Sequence, residues 1–299
     1  MKVLELHLHT FYSQGDRLKW DGLCSPEDMI LECIRKGYDG AAITDHNTTK
    51  GFRRAQRFVE KKFPEFLLIP GIELDVVLPS NSIVHLLLYN EDVENLKFKR
   101  GERIEEVLDK AREDDTLVVA AHPLSTYNPF KRSQLRKFDK IDCLEVYNPF
   151  IFSLTPETEK LAKELGKGMV AGSDAHSLDM VGIACTIVKG ESLEEILKNL
   201  RERESPILVT QGYRAVTPVL KWFKDKISVN YERINELVRK LVKGEVEPQN
   251  TLEKFVKRFH FILNPMKETL VRNEGVALWK LIAYPVALET KIYSKIVTR

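Results

Sequence analysis

Up to about residue 210, short apolar runs alternate with longer stretches in which apolar residues recur every three or four positions. The runs are "VLELHL" (3–8), "GAAIT" (40–44), "FLLIP" (66–70), "IVHLLLY" (83–89), "TLVVAA" (116–121), "DCLEVY" (142–147), "GMVAG" (168–172), "IACTIV" (183–188) and "PILVT" (206–210). Each has strand length and is rich in β-branched residues, so each is a predicted strand. Between them lie helical patterns such as "GERIEEVLDKAREDD" (101–115) and "SPEDMILECIRKG" (25–37). In the second, Ser25 suits the N-cap, Pro26 the first helical position and Gly37 the close.

Repeated βα units predict a mainly parallel sheet, and this many predict a TIM-like (β/α) barrel, whose chemistry gathers at the C-terminal ends of strands. Beyond about residue 215 the strand signals fade. "KWFKDKISVNYERINELVRKLVKG" (221–244) and "TLEKFVKRFHFILNPMKETLVRN" (251–273) read as helices, and "EGVALWKLIAYPVALETKIYSKIV" (274–297) as another interrupted at Pro285. The expected division is a barrel over 1–211 and a helical segment over 212–299.

The histidines give this pattern its chemistry. His7 and His9 lie one residue apart in a predicted strand and therefore share a face. His46, His122 and His176 fall at or just past predicted strand ends, His85 lies inside its strand, and His260 sits in the tail, where a structural role is expected. Acids accompany them: Asp45 beside His46, Asp174 near His176, and Glu73 just after the apolar run 66–70. Imidazoles mixed with carboxylates suit zinc, manganese or iron better than calcium or magnesium. The candidates exceed the four ligands of one tetrahedral zinc, so two or three divalent ions are implied.

Composition narrows the class further. Hydrophobic residues are 43% and charged residues 30%, no apolar run reaches membrane-spanning length, and no signal-peptide pattern opens the chain; a cytoplasmic location is expected. Cys24, Cys33, Cys143 and Cys185 form no C-x-x-C pair and give no support to a disulfide framework. Net charge hides an asymmetry. Residues 212–299 hold 17 Lys+Arg against 9 Asp+Glu, and subtraction from the totals of 46 and 44 leaves 29 against 35 for residues 1–211. A basic tail with Trp222, Phe223, Tyr231, Phe255, Phe259, Phe261, Trp279 and Tyr284 reads either as a helical core packed on the barrel or as a collector of polyanions such as oligonucleotides.

The ordered set "LHLHT", "AITDHNTTKG", "PGIEL", "HLLLY", "AAHP", "LEVYN" and "AGSDAH" resembles the PHP (polymerase and histidinol phosphatase) phosphoesterases over roughly residues 1–210. The resemblance implies a distorted (β/α)7 barrel with a two- or three-metal centre. Matched motif by motif, it implies that His7, His9 and Asp174 bind a first ion, and that Glu73 bridges to a second held by His85 and His122. His46 and His176 would hold a third with an acid from the loop after the first strand. There Gln14 stands where the family commonly has Asp. "KWDGLCSPEDM" restores the D-G pair, so Asp21 is the expected ligand and Asp16 its rival. Glu73, Asp174 and His176 are the expected catalytic groups. Asp45 is expected to orient a ligand or fix its loop, and Glu145 and Asn148 of "LEVYN" lie on the active face, with loop structure an equal reading. Arg17, Lys19, Lys131 and Arg132 are candidate phosphate contacts.

Such a centre suits hydrolysis of phosphate esters, because divalent ions lower the pKa of bound water from 15.7 towards about 7 and stabilise the leaving alkoxide. No G-x-S-x-G or G-x-x-x-x-G-K-[ST] motif suggests a covalent or P-loop route. The expected substrates are phosphorylated small molecules, nucleotides or oligonucleotides. A histidinol-phosphatase-like monoesterase, an amidohydrolase-type metal hydrolase and a non-catalytic binding module remain as alternatives.

Overall fold

The computed structural model describes residues 1–13, 21–93, 95, 98–125, 130–149, 155–202, 207–210 and 216–230, with scattered positions to 247. Its strands are β1 (Lys2–Leu8), β2 (Gly40–Ile43), β3 (Leu67–Val77), β4 (Ile83–Tyr89), β5 (Glu102–Arg103), β6 (Leu117–Ala120), β7 (Cys143–Tyr147), β8 (Gly168–Ala171), β9 (Ala184–Val188) and β10 (Ile207–Thr210). The helices are α1 (Pro26–Arg35), α2 (Lys50–Lys62), α3 (Ile104–Glu113), α4 (Arg132–Leu135), α5 (Thr155–Leu165), α6 (Leu193–Arg201) and α7 (Val216–Val229). All nine predicted strands are present. Helix α1 starts as its caps require, with the Ser25 hydroxyl accepting from the Asp28 N–H.

The strands form one sheet in the order β10-β9-β1-β2-β3-β4-β6-β7-β8, with β5 beside β3. Its two flanks meet just past β8. There His9 N–H donates to Ala175 O (2.9 Å) and Ala175 N–H to His7 O (3.2 Å). The Thr186 hydroxyl of β9 bonds both the N–H and the carbonyl of Ala171, at 2.9 Å each. The result is the expected α/β, TIM-like architecture, a nearly closed barrel.

Two details differ from the sequence reading. The sheet is mixed rather than mainly parallel: β4 runs antiparallel to both β3 and β6, and β9 antiparallel to β1 and β10. A tight turn with Asn81 at φ 60° joins β3 to β4, which is too short for a helical crossover and forces a hairpin. The strand expected to end at Pro70 runs on to Val77, so Glu73 lies within it. Proline costs a ladder one donor, and the pairing with β4 begins at the next residue, Gly71.

Leu86, Leu88, Val118 and Leu144 pack with Ile104 and Val107 of α3 and Leu161 of α5. A second cluster joins Ile69, Leu87, Tyr89, Val119 and Cys143 with Leu197 and Leu200 of α6. By strand alternation Ile69 shares a face with Glu73, Leu87 with His85, and Cys143 with Glu145, so apolar side chains continue the face that carries the site.

The chain divides into two compact units, the first running to Val219 and the second from Leu220. In the second, Trp222 is buried with Lys226 Nζ 4.7 Å from its ring centre. Most of the aromatic tail residues, and His260, lie outside the described residues. No described helix is long and apolar enough to cross a membrane.

Candidate metal centre

Strand alternation places the first ligand candidates. Glu5 and His7 of β1 and His9, the residue just after it, share one face, and all three side chains are wholly buried. In β3, Glu73 and Asp75 repeat the same spacing, and Asp75 pairs in register with His85 of the antiparallel β4. The loops after β2, β6 and β8 bring His46, His122, Asp174 and His176.

Glu73 lies at the middle of this array. Its Oε2 is 3.3 Å from His7 Nε2, 3.1 Å from His9 Nε2 and 3.2 Å from His46 Nδ1. Its Oε1 is 3.0 Å from His85 Nδ1 and 3.2 Å from His122 Nε2. Asp174 Oδ1 stands 3.1 Å from His9 Nε2 and 3.5 Å from both His7 Nε2 and His176 Nδ1. Asp21 Oδ2 is 3.2 Å from His176 Nε2 and 3.4 Å from His46 Nε2. Asp16 and Gln14 lie outside the described residues.

Four close donor groups result: His7, His9 and Asp174; Glu73, His85 and His122; His9, His46 and His176; and His46, Asp75 and His85. Ligand atoms about 2.1 Å from one ion are about 3.0–3.4 Å apart in octahedral or tetrahedral geometry, and the separations above fall in that range except the two 3.5 Å distances from Asp174 to His7 and His176. His46 Nδ1 is buried near Glu73 without making a hydrogen bond. The donor set therefore fits divalent transition metals.

Surrounding groups aim these ligands. Glu145 Oε1 is 2.9 Å from His7 Nδ1, which turns Nε2 towards Glu73. Its other oxygen accepts from the His122 N–H (2.8 Å) and from Asn148 Nδ2 (2.9 Å), which also reaches Asp174 Oδ2 at 3.2 Å. The Ser13 hydroxyl lies 3.0 Å from His9 Nδ1 and accepts the His46 N–H. Asp45 accepts from the Thr10 N–H (2.6 Å) and hydroxyl (2.8 Å), fixing the loop after β1. Two members, His122 (φ 28°) and Asp174 (φ 46°), hold left-handed backbone conformations that non-glycine residues adopt at a cost.

Residues 5–118 match the family described as PHP domain, and residues 157–205 the family described as PHP-associated. An uncharacterized protein of Methanocaldococcus jannaschii is 32% identical over 152 residues, which are 49% of this chain and 81% of that one. The chain belongs to the PHP-domain family. It is accordingly a metal-dependent enzyme acting on phosphate esters. The PHP chain is also 31% identical over 91 residues to the 5'-3' exoribonuclease Rnm of Salmonella typhimurium, covering 30% of this chain and only 28% of that enzyme. Among solved structures, PsfC of Pseudomonas syringae superposes with a TM-score of 0.58 over 76% of this chain and 98% of its own, at 17% identity, a likeness of fold.

The electrostatics of the PHP site follow from burying many titratable groups together. Burial disfavours charge on Glu73, but His46, His7 and His85 outweigh it and hold its carboxyl well below the usual range. Burial likewise opposes charge on His9, yet hydrogen bonds and charge from Asp174 and Glu73 lift it to about 9. His46 is pushed down to about 3, chiefly by burial. Each such proton competes with a metal for the same nitrogen or oxygen.

One participant escaped the sequence reading: Asp75 was legible as the second acid two residues after Glu73, the same signal as His7 and His9. Of the two readings open for Glu145, the structure favours the one at the active face, with His7 and His122, 138 and 23 positions away, as its partners beside Asn148. Lys131 and Arg132 are exposed, and Arg17 and Lys19 lie outside the described residues.

Proposed function

We propose that this PHP domain hydrolyses phosphate esters of nucleotides or oligonucleotides at a centre of two or three zinc, manganese or iron ions. His7, His9 and Asp174 would hold the first ion, His85 and His122 the second, with Glu73 between them. His46, His176 and Asp21 would hold the third. The observation that carries this reading is the division of Glu73, whose two oxygens face different sets of imidazoles. When bound, such ions lower the pKa of water and stabilise phosphate and alkoxide charge.

The chain's own part is placement. Glu73 fixes the spacing of the two histidine sets. Glu145 and Ser13 hold His7 and His9 through their Nδ1 atoms, leaving each Nε2 facing the centre. His176, with Nδ1 2.8 Å from Asp174 O, is turned so that Nε2 faces Asp21 and the third ion's place. The nucleotide reading is supported by the resemblance to a protein named as an exoribonuclease.

A panel of phosphomonoesters and phosphodiesters, assayed with manganese and with zinc, tests the proposal. Hydrolysis abolished by chelator and restored by metal is expected, with nucleotide or oligonucleotide esters preferred. Absence of turnover on every ester with either metal would overturn it.

A further inference from the structure

Helix α2 begins four residues after His46, and its first turn is wedged against the site. A Cβ on Gly51 would lie 1.9 Å from Asp45 Oδ2 and 2.9 Å from the Thr10 hydroxyl. The helix carries six Lys/Arg and a single acid, Glu60, inside a barrel segment whose balance is −6 (29 against 35). The cations are not scattered. Lys50, Arg53, Arg57 and Lys61 follow at intervals of three and four, which puts them on one side, all exposed. Gly51, Phe52, Ala55 and Val59 form the buried side. At 1.5 Å per residue the stripe runs about 16 Å from the rim of the metal centre.

Helix stability does not explain it. Helices α1, α3, α5 and α6 each place Glu or Asp in the first turn, where the helix dipole favours negative charge. Helix α2 has none there, and Lys50 and Arg53 oppose the dipole. Nor are three of these charges neutralised locally, since Lys50, Arg57 and Lys61 pair with no carboxylate among the described residues.

A second feature adjoins the stripe. Phe11 and Tyr12, just past His9, are half-buried with ring centres 4.8 Å apart. Arg54 lies 5.3 Å from the Phe11 ring centre and bonds Glu27 at 2.7 Å, bracing the pair instead of joining the exposed row. A row of cations leading from partly exposed aromatic rings is the combination that binds single strands, with phosphates along the charges and bases on the rings.

We propose that α2 and the Phe11–Tyr12 pair form the track by which a single-stranded nucleic acid reaches the metal centre, backbone along Lys50, Arg53, Arg57 and Lys61 and one base against the aromatic pair. This rests on the phosphoesterase reading above and names the surface that would give it an oligonucleotide substrate.

The test uses the metal-loaded full-length protein and a labelled ten-nucleotide oligothymidylate, read as initial anisotropy before turnover across a salt series. Each phosphate contact contributes about −0.7 to the slope of log K against log salt. The triple variant Lys50→Gln/Arg57→Gln/Lys61→Gln should flatten the slope by about 2 and loosen binding at least tenfold at low salt. Lys160→Gln/Lys163→Gln/Lys198→Gln, the same charge removed from α5 and α6, should leave the slope in place. Phe11→Ala/Tyr12→Ala should loosen binding without changing the slope. An unchanged slope in the α2 variant, or equal flattening in the control, would overturn the proposal. Wild-type turnover of small phosphate esters separates the two readings. Turnover without oligonucleotide binding removes the track and keeps the phosphoesterase, whereas track-dependent binding without turnover of any ester does the reverse.

Discussion

Both histidine sets share the Glu73 side chain, so its loss should be felt by more than one ion. Glu73→Ala is expected to abolish hydrolysis rather than weaken substrate binding; a variant keeping more than about a tenth of wild-type kcat would remove the bridging role. Gly172 tests the same geometry without removing a ligand. A Cβ there would sit 2.6 Å from His7 Cβ and 2.7 Å from Glu145 Oε1. Gly172→Ala should therefore tilt His7 off its brace and lower kcat at least tenfold, since braces of this kind are worth about 10–100-fold in affinity or activity. Near-wild-type kinetics would show that the brace is dispensable. At this scale the histidines were legible because their residue type and spacing announce them. Glu145 was half legible, placed on the active face by its motif but without its partners, and the left-handed backbone at His122 and Asp174 was not legible, because contacts across the fold create it.

The β3–β4 hairpin is the element that most changes the sequence picture. Chemistry was expected at strand C-terminal ends, and His85, near the start of its strand, looked misplaced. Because β4 runs backwards, its beginning lies beside the end of β3, and His85 faces Asp75 and Glu73 from there. Only the length of the turn encodes that reversal, and the apolar runs on either side carry no mark of direction. Asp75, set among His46 and His85, belongs to the same element. Asp75→Ala should reduce bound transition metal, measured by elemental analysis of chelator-free protein, by up to one equivalent from the two to three expected of the wild type. Unchanged stoichiometry and affinity would leave Asp75 a structural role through its bond to Arg100 Nε, 3.0 Å away, and its contact with His85 Nε2 at 3.4 Å.

Across the whole molecule, one cluster gathers residues from position 7 to position 176, so bound metal should stabilise the entire barrel. An ion at a hundred times its Kd adds about 2.7 kcal/mol, which for a domain of this size corresponds to about 5–10 °C in Tm. Chelator should lower the Tm of the protein by that much and added manganese or zinc should restore it; an unchanged melting curve would mean that the site is unloaded or uncoupled from folding. The barrel was legible from alternating runs and helix caps, which are local signals. The pairing order was less so, because it depends on which strand edges meet.

The junction of β8 with β1 sets the timing of all this. His7 leaves the ribosome more than a hundred and sixty residues ahead of Asp174 and His176. Until they arrive, the barrel cannot close and His7 has no Asp174 beside it. A growing chain thus carries an open row of imidazoles and acids through most of the barrel's synthesis, and metal captured early would be held by an incomplete set. Nascent chains halted before Gly168 should bind metal weakly and be cut readily by protease, whereas chains released past Val188 should acquire both tight binding and resistance together.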